Sequence, residues 1–382
     1  MMKRIREEDQ LQVKRNKIGE QGQSIYADSG GKDWIRGQML GKGGFGSVHM
    51  AFLKVGYGPE FEGCPTIMAV KSATEISAYN HLKMEKILLE RFSDSPYIIR
   101  CFGDDITLTD DSQLVYNVFL ELACGSLIDL IKRAKEKGGV LKESSVRLHT
   151  VSILNGLKRI HEEGFVHCDL KLENILLVRQ GKANGGDTFF VAKIADLGLT
   201  KRVGTKSVGG TRSYWSPEII KDNIQEQPSD IWALGCIVFE MLTGKLPWRH
   251  DCTGIGDEEV KDLLHGLSTL AKDFLKWCFM RNPSDRPTAK MLLKHPFLCR
   301  LIHKNKEDDR QNMFSSTSFS DDEVDDEDSS VDSLIISSSS TKWEQRQKED
   351  LCKWKRDHAL FFPSSSGFNE ASLVLHLYAH QE

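Results

Sequence analysis

The segment FVHCDLKLENILL (165–177) gathers His167, Asp169, Lys171 and Asn174 within eight residues, between a helix-like stretch and an apolar run. A carboxylate, an ammonium and a neutral amide at this spacing suit phosphoryl transfer to a hydroxyl. That chemistry asks a protein for a positioned nucleophile and for neutralised charge rather than for covalent help. Asp169 can accept or orient the hydroxyl proton, Lys171 can sit against the transferred phosphoryl group, and Asn174 offers an oxygen to a hard cation. A second oxygen ligand, Asp196, stands at a strand end in KIADLGLT (193–200). A carboxylate, an amide oxygen and phosphate oxygens together suit Mg²⁺, which keeps several ligands outside the protein. Singly, these residues also read as a turn aspartate, a capping asparagine and a loop glycine; their order along the chain is what singles out the chemistry.

Two further stretches could handle phosphate charge. LGKGGFGSV supplies Leu40, Gly41, Lys42, Gly43, Gly44, Phe45, Gly46, Ser47 and Val48. Its G-x-G-x-x-G pattern fits a plain surface turn, and a dinucleotide fold would need a helix directly after the glycines. The residues after Gly46 are strand-like, so a hairpin is expected, with amides close to triphosphate oxygens and Val48 against a base. Lys71 follows IMAV on an expected strand. An ammonium among apolar neighbours needs an anionic partner. Glu85 is the first candidate, because Leu82, Leu88 and Leu89 put it on the inward face of a helix; Glu75 is the second, and a surface glutamate remains a third reading.

Elements must hold these residues. GSVHMAFLKV (46–55), TIMAVKSA (66–73) and VYNVFLELA (115–123) read as strands, and AYNHLKMEKILLERF (78–92) as a helix. After GSL (125–127) the pattern turns mostly helical, at 144–164, 229–244 and 267–279. A strand-rich part before a helix-rich part gives an α+β chain of two unequal lobes. Residues 1–33 read as a mobile charged arm, 34–301 as the folded domain, and 302–382 as a largely disordered tail, acidic and serine-rich at SSTSFSDDEVDDEDSSVDSLIISSSS.

Composition narrows the function classes. The 382 residues include 40% hydrophobic and 28% charged residues, as in a globular protein, and a net charge of −4 gives no reason to expect nucleic acid as a partner. Nine scattered cysteines without a C-x-x-C pair argue for a reducing compartment and against a zinc module. No apolar run is long enough for a membrane span, and MMKRIREEDQ lacks a signal-peptide core. Two basic clusters in KRIREEDQLQVKRNK (3–17) form a weak nuclear-import pattern, so a mixed cytoplasmic and nuclear distribution is expected. A reporter fused to residues 1–20 that shows no nuclear enrichment would remove that expectation.

With these motifs in hand, the chain from Trp34 to Leu301 resembles a eukaryotic protein kinase. The resemblance lies in GKGGFGSV, MAVK, HCDLKLEN, DLG (196–198), SPE (216–218), SDIWALGC (229–236) and NPSDRPT (282–288). WIRGQMLGKGGFGSV, FLELACGSL and HCDLKLENILL are most similar to plant-type MAP kinase kinase kinases of the MEKK group. The family implies a bilobal fold with a small β-rich N-lobe and a larger helical C-lobe. It implies ATP and Mg²⁺ as cofactors, with Val48, Ala69 and Leu176 around adenine, Leu120 as gatekeeper, and the backbone of Glu121 and Ala123 as hinge. It implies that Asp230 anchors the C-lobe and that Arg286 pairs with Glu218. Lys171 and Thr211 imply serine/threonine specificity, and the subgroup implies a MAP kinase kinase as the protein substrate. The alternative is a pseudokinase or scaffold that binds nucleotide and partners without turnover; such proteins usually lack the counterparts of Lys71, Asp169 or Asp196, and all three are present.

Four departures from the family pattern stand out. Cys168 replaces the arginine before the catalytic aspartate, Leu197 replaces the phenylalanine of D-F-G, Ser216 replaces an alanine, and GYGPEFEGCP (56–65) is an insertion. Leu197 should still pack against the helix of Glu85. Cys168 cannot bind a phosphate on the activation loop, so the link between loop phosphorylation and activity should weaken; Lys193, Lys201 and Arg202 are the cations that could substitute.

Overall fold

The computed structural model describes residues 30–44, 46–109, 112–180, 189–248 and 263–298. The arm before Gly30 and the tail after Leu298 lie outside the described residues.

The strand-like stretches form a five-stranded antiparallel sheet. Its strands are β1 (Trp34–Gly43), β2 (Gly46–Leu53), β3 (Ile67–Ala73), β4 (Cys101–Leu108) and β5 (Leu114–Leu120), in the order β1-β2-β3-β5-β4. Helix α1 (Ile76–Arg91) joins β3 to β4 and buries Leu82, Glu85, Leu88 and Leu89. The other side of the sheet has its own small core of Trp34, Ala51, Leu53, Phe61, Met68, Val70 and Phe119. Phe61 comes from the 56–65 insertion. It sits edge-on to Phe119 at 5.0 Å, opposite Trp34 at 5.1 Å, so the insertion caps an apolar sheet face. Three residues that the sequence places in the charged arm close onto this lobe: Asp33 accepts the backbone N–H of Lys54 and of Gly58, and Lys54 Nζ donates to the carbonyls of Gly31 and Lys32.

The second part is built on helices. A two-residue strand, β6 (Gly125–Ser126), leads into α2 (Leu127–Glu136), which a Ser126–Asp129 capping box starts. Helix α3 (Glu143–Glu162) then runs to β7 (Phe165–Val166). Strands β8 (Ile175–Gln180) and β9 (Phe189–Ile194) pair beside β6, and β10 (Lys201–Arg202) pairs with β7. Helices α4 (Pro217–Asp222), α5 (Gln227–Thr243), α6 (Thr269–Cys278) and α7 (Ala289–Leu292) complete the described chain. Helix α5 is buried from Ser229 to Leu242, which explains why its sequence is apolar on all sides.

The two parts meet where the chain leaves α1. Ile194 exchanges backbone hydrogen bonds with Tyr97 and Ile99, and a Cβ on Gly156 would lie 2.8 Å from the Ile194 side chain and 3.0 Å from the Tyr97 carbonyl. Glycine in α3 is therefore what lets the end of β9 approach. That strand end carries Asp196.

His149, 8% exposed in α3, is held neutral: burial lowers its pKa to about 4. The unfolded chain takes up its proton near the ordinary value of about 6.5, so stability is fully present above that pH and is lost as pH falls towards 4. Between pH 7.5 and 5 this one group should cost on the order of 2 kcal/mol. Urea unfolding at the two pH values should show a smaller loss for His149→Gln than for wild type. Equal losses would assign the acid sensitivity to other groups.

Candidate active site

Lys71 on β3 reaches across to α1 and to the end of β9. Its Nζ lies 2.7 Å from Glu85 Oε2 and 2.9 Å from Asp196 Oδ1. Glu85 is 2% exposed, whereas Glu75 is exposed just before the first residue of α1. Burial works against the ammonium, but the charges of Glu85 and Asp196 outweigh it and raise the pKa of Lys71. Burial also opposes the Asp196 carboxylate, and Lys71 overcomes it, so Asp196 stays below the usual carboxylate range. Asp196 takes a left-handed conformation, φ 60°, which turns the chain sharply after β9. Leu197 is then fully buried against α1, its N–H donates to Glu85, and His81 Nδ1 lies 3.2 Å from the Gly198 carbonyl. An apolar side chain of leucine's size fills the place that the family pattern gives to phenylalanine.

The catalytic loop is pinned from below. Asp230, buried near the start of α5, accepts the backbone N–H of His167 at 2.8 Å and of Cys168 at 3.1 Å, and His161 Nε2 lies 2.9 Å from it. Cys168 has φ 71°, a value costly for a residue with a Cβ, and these backbone bonds help to hold it there. Asp169 follows at the mouth of the loop. Its Oδ1 accepts from Thr211 N at 2.8 Å and Thr211 Oγ1 at 2.7 Å; its Oδ2 accepts from Lys171 Nζ at 2.8 Å and Asn174 Nδ2 at 3.2 Å. Lys171 Nζ is also 2.9 Å from Thr211 Oγ1. The Asn174 amide donates to the Asp169 carbonyl at 2.8 Å, which turns its Oδ1 the other way, without a hydrogen bond among the described residues.

The expected nucleotide residues fall into two groups. Ala69 and Leu120 belong to the main apolar core, which takes in residues of both lobes, and Val48, Ala123 and Leu176 pack against it, partly buried. Glu121 donates its N–H to the Arg100 carbonyl. The hairpin of β1 and β2 pairs Lys42 with Ser47 and Gly43 with Gly46, and Leu40, Gly41, Lys42, Gly43 and Gly44 are exposed. Phe45 lies outside the described residues. A Cβ on Gly41, Gly43 or Gly44 would meet nothing within 4 Å among the described residues, so no contact with them accounts for those glycines. Gly46 differs: with φ +127°, its Cβ would lie 2.1 Å from the Ser72 carbonyl, so the turn onto β3 excludes any side chain there.

Glu218 and Arg286 form a buried bidentate pair at 2.7 and 2.9 Å, and Arg286 also donates to the Pro228 and Met280 carbonyls. This ties the start of α4 to the loop before α7.

The protein kinase domain family matches residues 34–298. This chain is a protein kinase. Of its relatives, mitogen-activated protein kinase kinase kinase 20 of Arabidopsis thaliana is 39% identical over 301 residues, covering 74% of this chain and 82% of that protein. Kinase kinase kinases 17 and 18 of the same plant are each 36% identical over 70% of this chain, covering 69% and 77% of those proteins. A crystal structure of a kinase domain matches 72% of this chain and 98% of its own, with a TM-score of 0.55 at 19% identity, a likeness of fold alone. Family and relatives place the enzyme among serine/threonine kinases. Protein kinases use ATP and a divalent metal, and act on protein hydroxyls. No helix among the described residues is long and apolar enough to cross a membrane.

In this kinase the residue before the catalytic aspartate is Cys168, not an arginine. The Cys168 side chain is buried, with Sγ 3.5 Å from the Val166 carbonyl, and burial raises its pKa, so it is a neutral thiol. One of the three proposed substitute cations is ruled out by position: Lys193 is buried on β9 with its Nζ 2.8 and 2.7 Å from the two Glu121 oxygens. Its charge is engaged by the segment between the lobes, a pairing that no local pattern marks because the two residues lie 72 apart. Lys201 donates to the carbonyls of Thr205 and Ser207, and Arg202 lies over the Phe165 ring. Thr205 and Ser207 are exposed. Thr205→Ala and Ser207→Ala should therefore each lower activity less than about tenfold, or about 1.4 kcal/mol of barrier. Steady-state rates of the two variants test this, and a hundredfold loss in either would mean that Lys201 and Arg202 bind a phosphate there.

Proposed function

We propose that this kinase transfers the γ-phosphoryl group of ATP, with Mg²⁺, to a serine or threonine hydroxyl of a MAP kinase kinase. The observation that carries the reading is Lys71 bridging Glu85 and Asp196, because it ties β3, α1 and the DLG turn into one charged centre. Lys71 neutralises phosphate charge while Glu85 keeps it aimed. Asp169 orients the substrate hydroxyl and takes its proton, and Lys171 balances charge on the transferred group while Thr211 braces both. Val48, Ala69 and Leu176 enclose the base, with the backbone of Glu121 and Ala123 at its edge and Leu120 behind it.

The residues present fit the cation as well. Asn174 Oδ1 and the Asp196 carboxylate would hold it, and it would supply positive charge against the phosphates. Among the described residues no cluster of three His, Cys, Asp or Glu could bind a metal by itself, which suits an ion that arrives with the nucleotide. The open space at Gly41, Gly43 and Gly44 suits phosphates approaching the hairpin amides.

The level in the cascade rests on the relatives' names. The purified kinase, offered a panel of kinase-dead MAP kinase kinases with radiolabelled ATP, should label at least one far above generic proteins. Labelling of generic proteins alone would leave a serine/threonine kinase of another cascade, and nucleotide binding without any transfer would favour the scaffold reading.

A further inference from the structure

The activation segment meets a neutral side chain that bonds it directly to the catalytic loop. Gln225, between α4 and α5, is 3% exposed. Its Nε2 donates to the Cys168 carbonyl at 2.9 Å and to the Gly209 carbonyl at 3.1 Å, and its Oε1 accepts the Gly209 N–H at 3.1 Å. One neutral amide thus satisfies both backbone groups of Gly209 and joins them to the residue before the catalytic aspartate. The next residue, Gly210, has φ +91°, and a Cβ there would lie 2.2 Å from the same Cys168 carbonyl. Thr211 follows and places its N–H and hydroxyl on Asp169. Only two peptide units separate the Gln225 contact from the contact with Asp169.

Both ends of this brace are fixed. Asp230 holds the Cys168 N–H, so the left-handed turn presents the Cys168 carbonyl to Gln225. On the other side Trp215 Nε1 donates to the Gly209 carbonyl at 3.1 Å. Beside the brace, Cys168, Asp169, Thr211, Trp215, Gln225 and Asp230 line a small space of about 10 Å³, room for about one water.

We propose that Gln225 is the positioning residue that docks the activation segment on the catalytic loop, so that a neutral amide makes Asp169 and Thr211 competent without a phosphate on the segment. It acts through Gly209, Gly210 and Thr211 and touches no reacting atom. This fits the neutral thiol at Cys168, the engagement of Lys193 by Glu121, and the bonds from Lys201 to carbonyls. The proposal rests on the reading that Asp169 and Thr211 act on the substrate hydroxyl.

The test uses full-length protein treated with phosphatase, compared with the autophosphorylated form, on a protein substrate and with ATP varied separately. Stripped wild type should lie within about threefold of the phosphorylated form, because the brace needs no added charge. Gln225→Leu, which fills the space without donors, should lower kcat/KM for the protein substrate by about tenfold to a hundredfold while KM for ATP shifts less than about threefold. Gln225→Glu keeps an acceptor for Gly209 but turns oxygens towards two carbonyls, and should lose as much as the leucine variant. Gln225→Asn retains the amide one methylene short and should fall between. A purely structural role would instead lower the amount of folded enzyme while leaving the turnover of each folded molecule unchanged, and active-site titration separates the two.

The proposal fails if the variants stay within twofold of wild type per active site, if both substrates' parameters fall together, or if stripped wild type is a hundredfold slower than the phosphorylated form. A wild type that labels no protein at all removes the underlying reading, and the proposal with it.

Discussion

Asp169→Asn is expected to lower kcat for protein phosphorylation by about 10²- to 10⁴-fold, the range for loss of a positioned general base. Four donors converge on the carboxylate: Thr211 N, Thr211 Oγ1, Lys171 Nζ and Asn174 Nδ2. An asparagine oxygen can keep the Thr211 contacts, so the segment stays docked. Its amide nitrogen then faces Lys171 and Asn174, donor against donor, and can accept no proton from a substrate hydroxyl. ATP affinity should change little, because Asp169 orients the acceptor rather than the nucleotide. The measurement is kcat with saturating ATP and protein substrate, beside nucleotide binding by calorimetry. A variant within about tenfold of wild type would remove Asp169 from proton transfer. A variant that also loses ATP binding would show that the substitution disturbs the loop.

Lys71→Met is the second large effect, on the order of a thousandfold in kcat, as expected when a preorganised cation is removed from a transferring phosphoryl group. The substitution also leaves Glu85 buried without a cation. Burial then favours its protonated form, and breaking the pair should cost on the order of 3 kcal/mol of stability. The variant should still fold, with a lower urea midpoint and unchanged far-ultraviolet circular dichroism. Lys71→Arg should restore little activity. Nζ lies within 3 Å of both Glu85 and Asp196, and a planar guanidinium cannot take the place of a compact ammonium between them. Turnover of Lys71→Met within a factor of a few of wild type would take Lys71 out of the site. Full activity of Lys71→Arg would mean that net charge at this point matters and shape does not.

The sequence carried most of the fold because its signals are local. Short apolar runs became β2, β3 and β5, with β3 and β5 inside the sheet, and helical spacing became α1, with its boundaries within two residues of the expected stretch. The inward reading of Glu85 is of the same kind. Leu82, Leu88 and Leu89 define a helix face, and a residue on that face is buried whatever it meets there. The short spacing of His167, Asp169, Lys171 and Asn174 likewise needs only one loop, so its chemistry could be read before any contact was known.

Only the tertiary structure decided which cations are free and what holds the activation segment. Lys193 reads as a polar residue near the end of a strand, yet burial beside Glu121, distant in sequence, consumes its charge. Gln225 sits in a polar stretch, KDNIQEQPSD, with no periodicity to mark it; its partners Cys168 and Gly209 come to it only when α4, the catalytic loop and the activation segment fold together. Cys168 shows both sides. Its identity in the chain already excludes a charged contact to phosphate, because a thiol is neutral at its ordinary pKa. That the Cys168 carbonyl, rather than its side chain, meets the segment follows from a left-handed backbone held by Asp230, a conformation that non-local hydrogen bonds stabilise and local sequence does not predict.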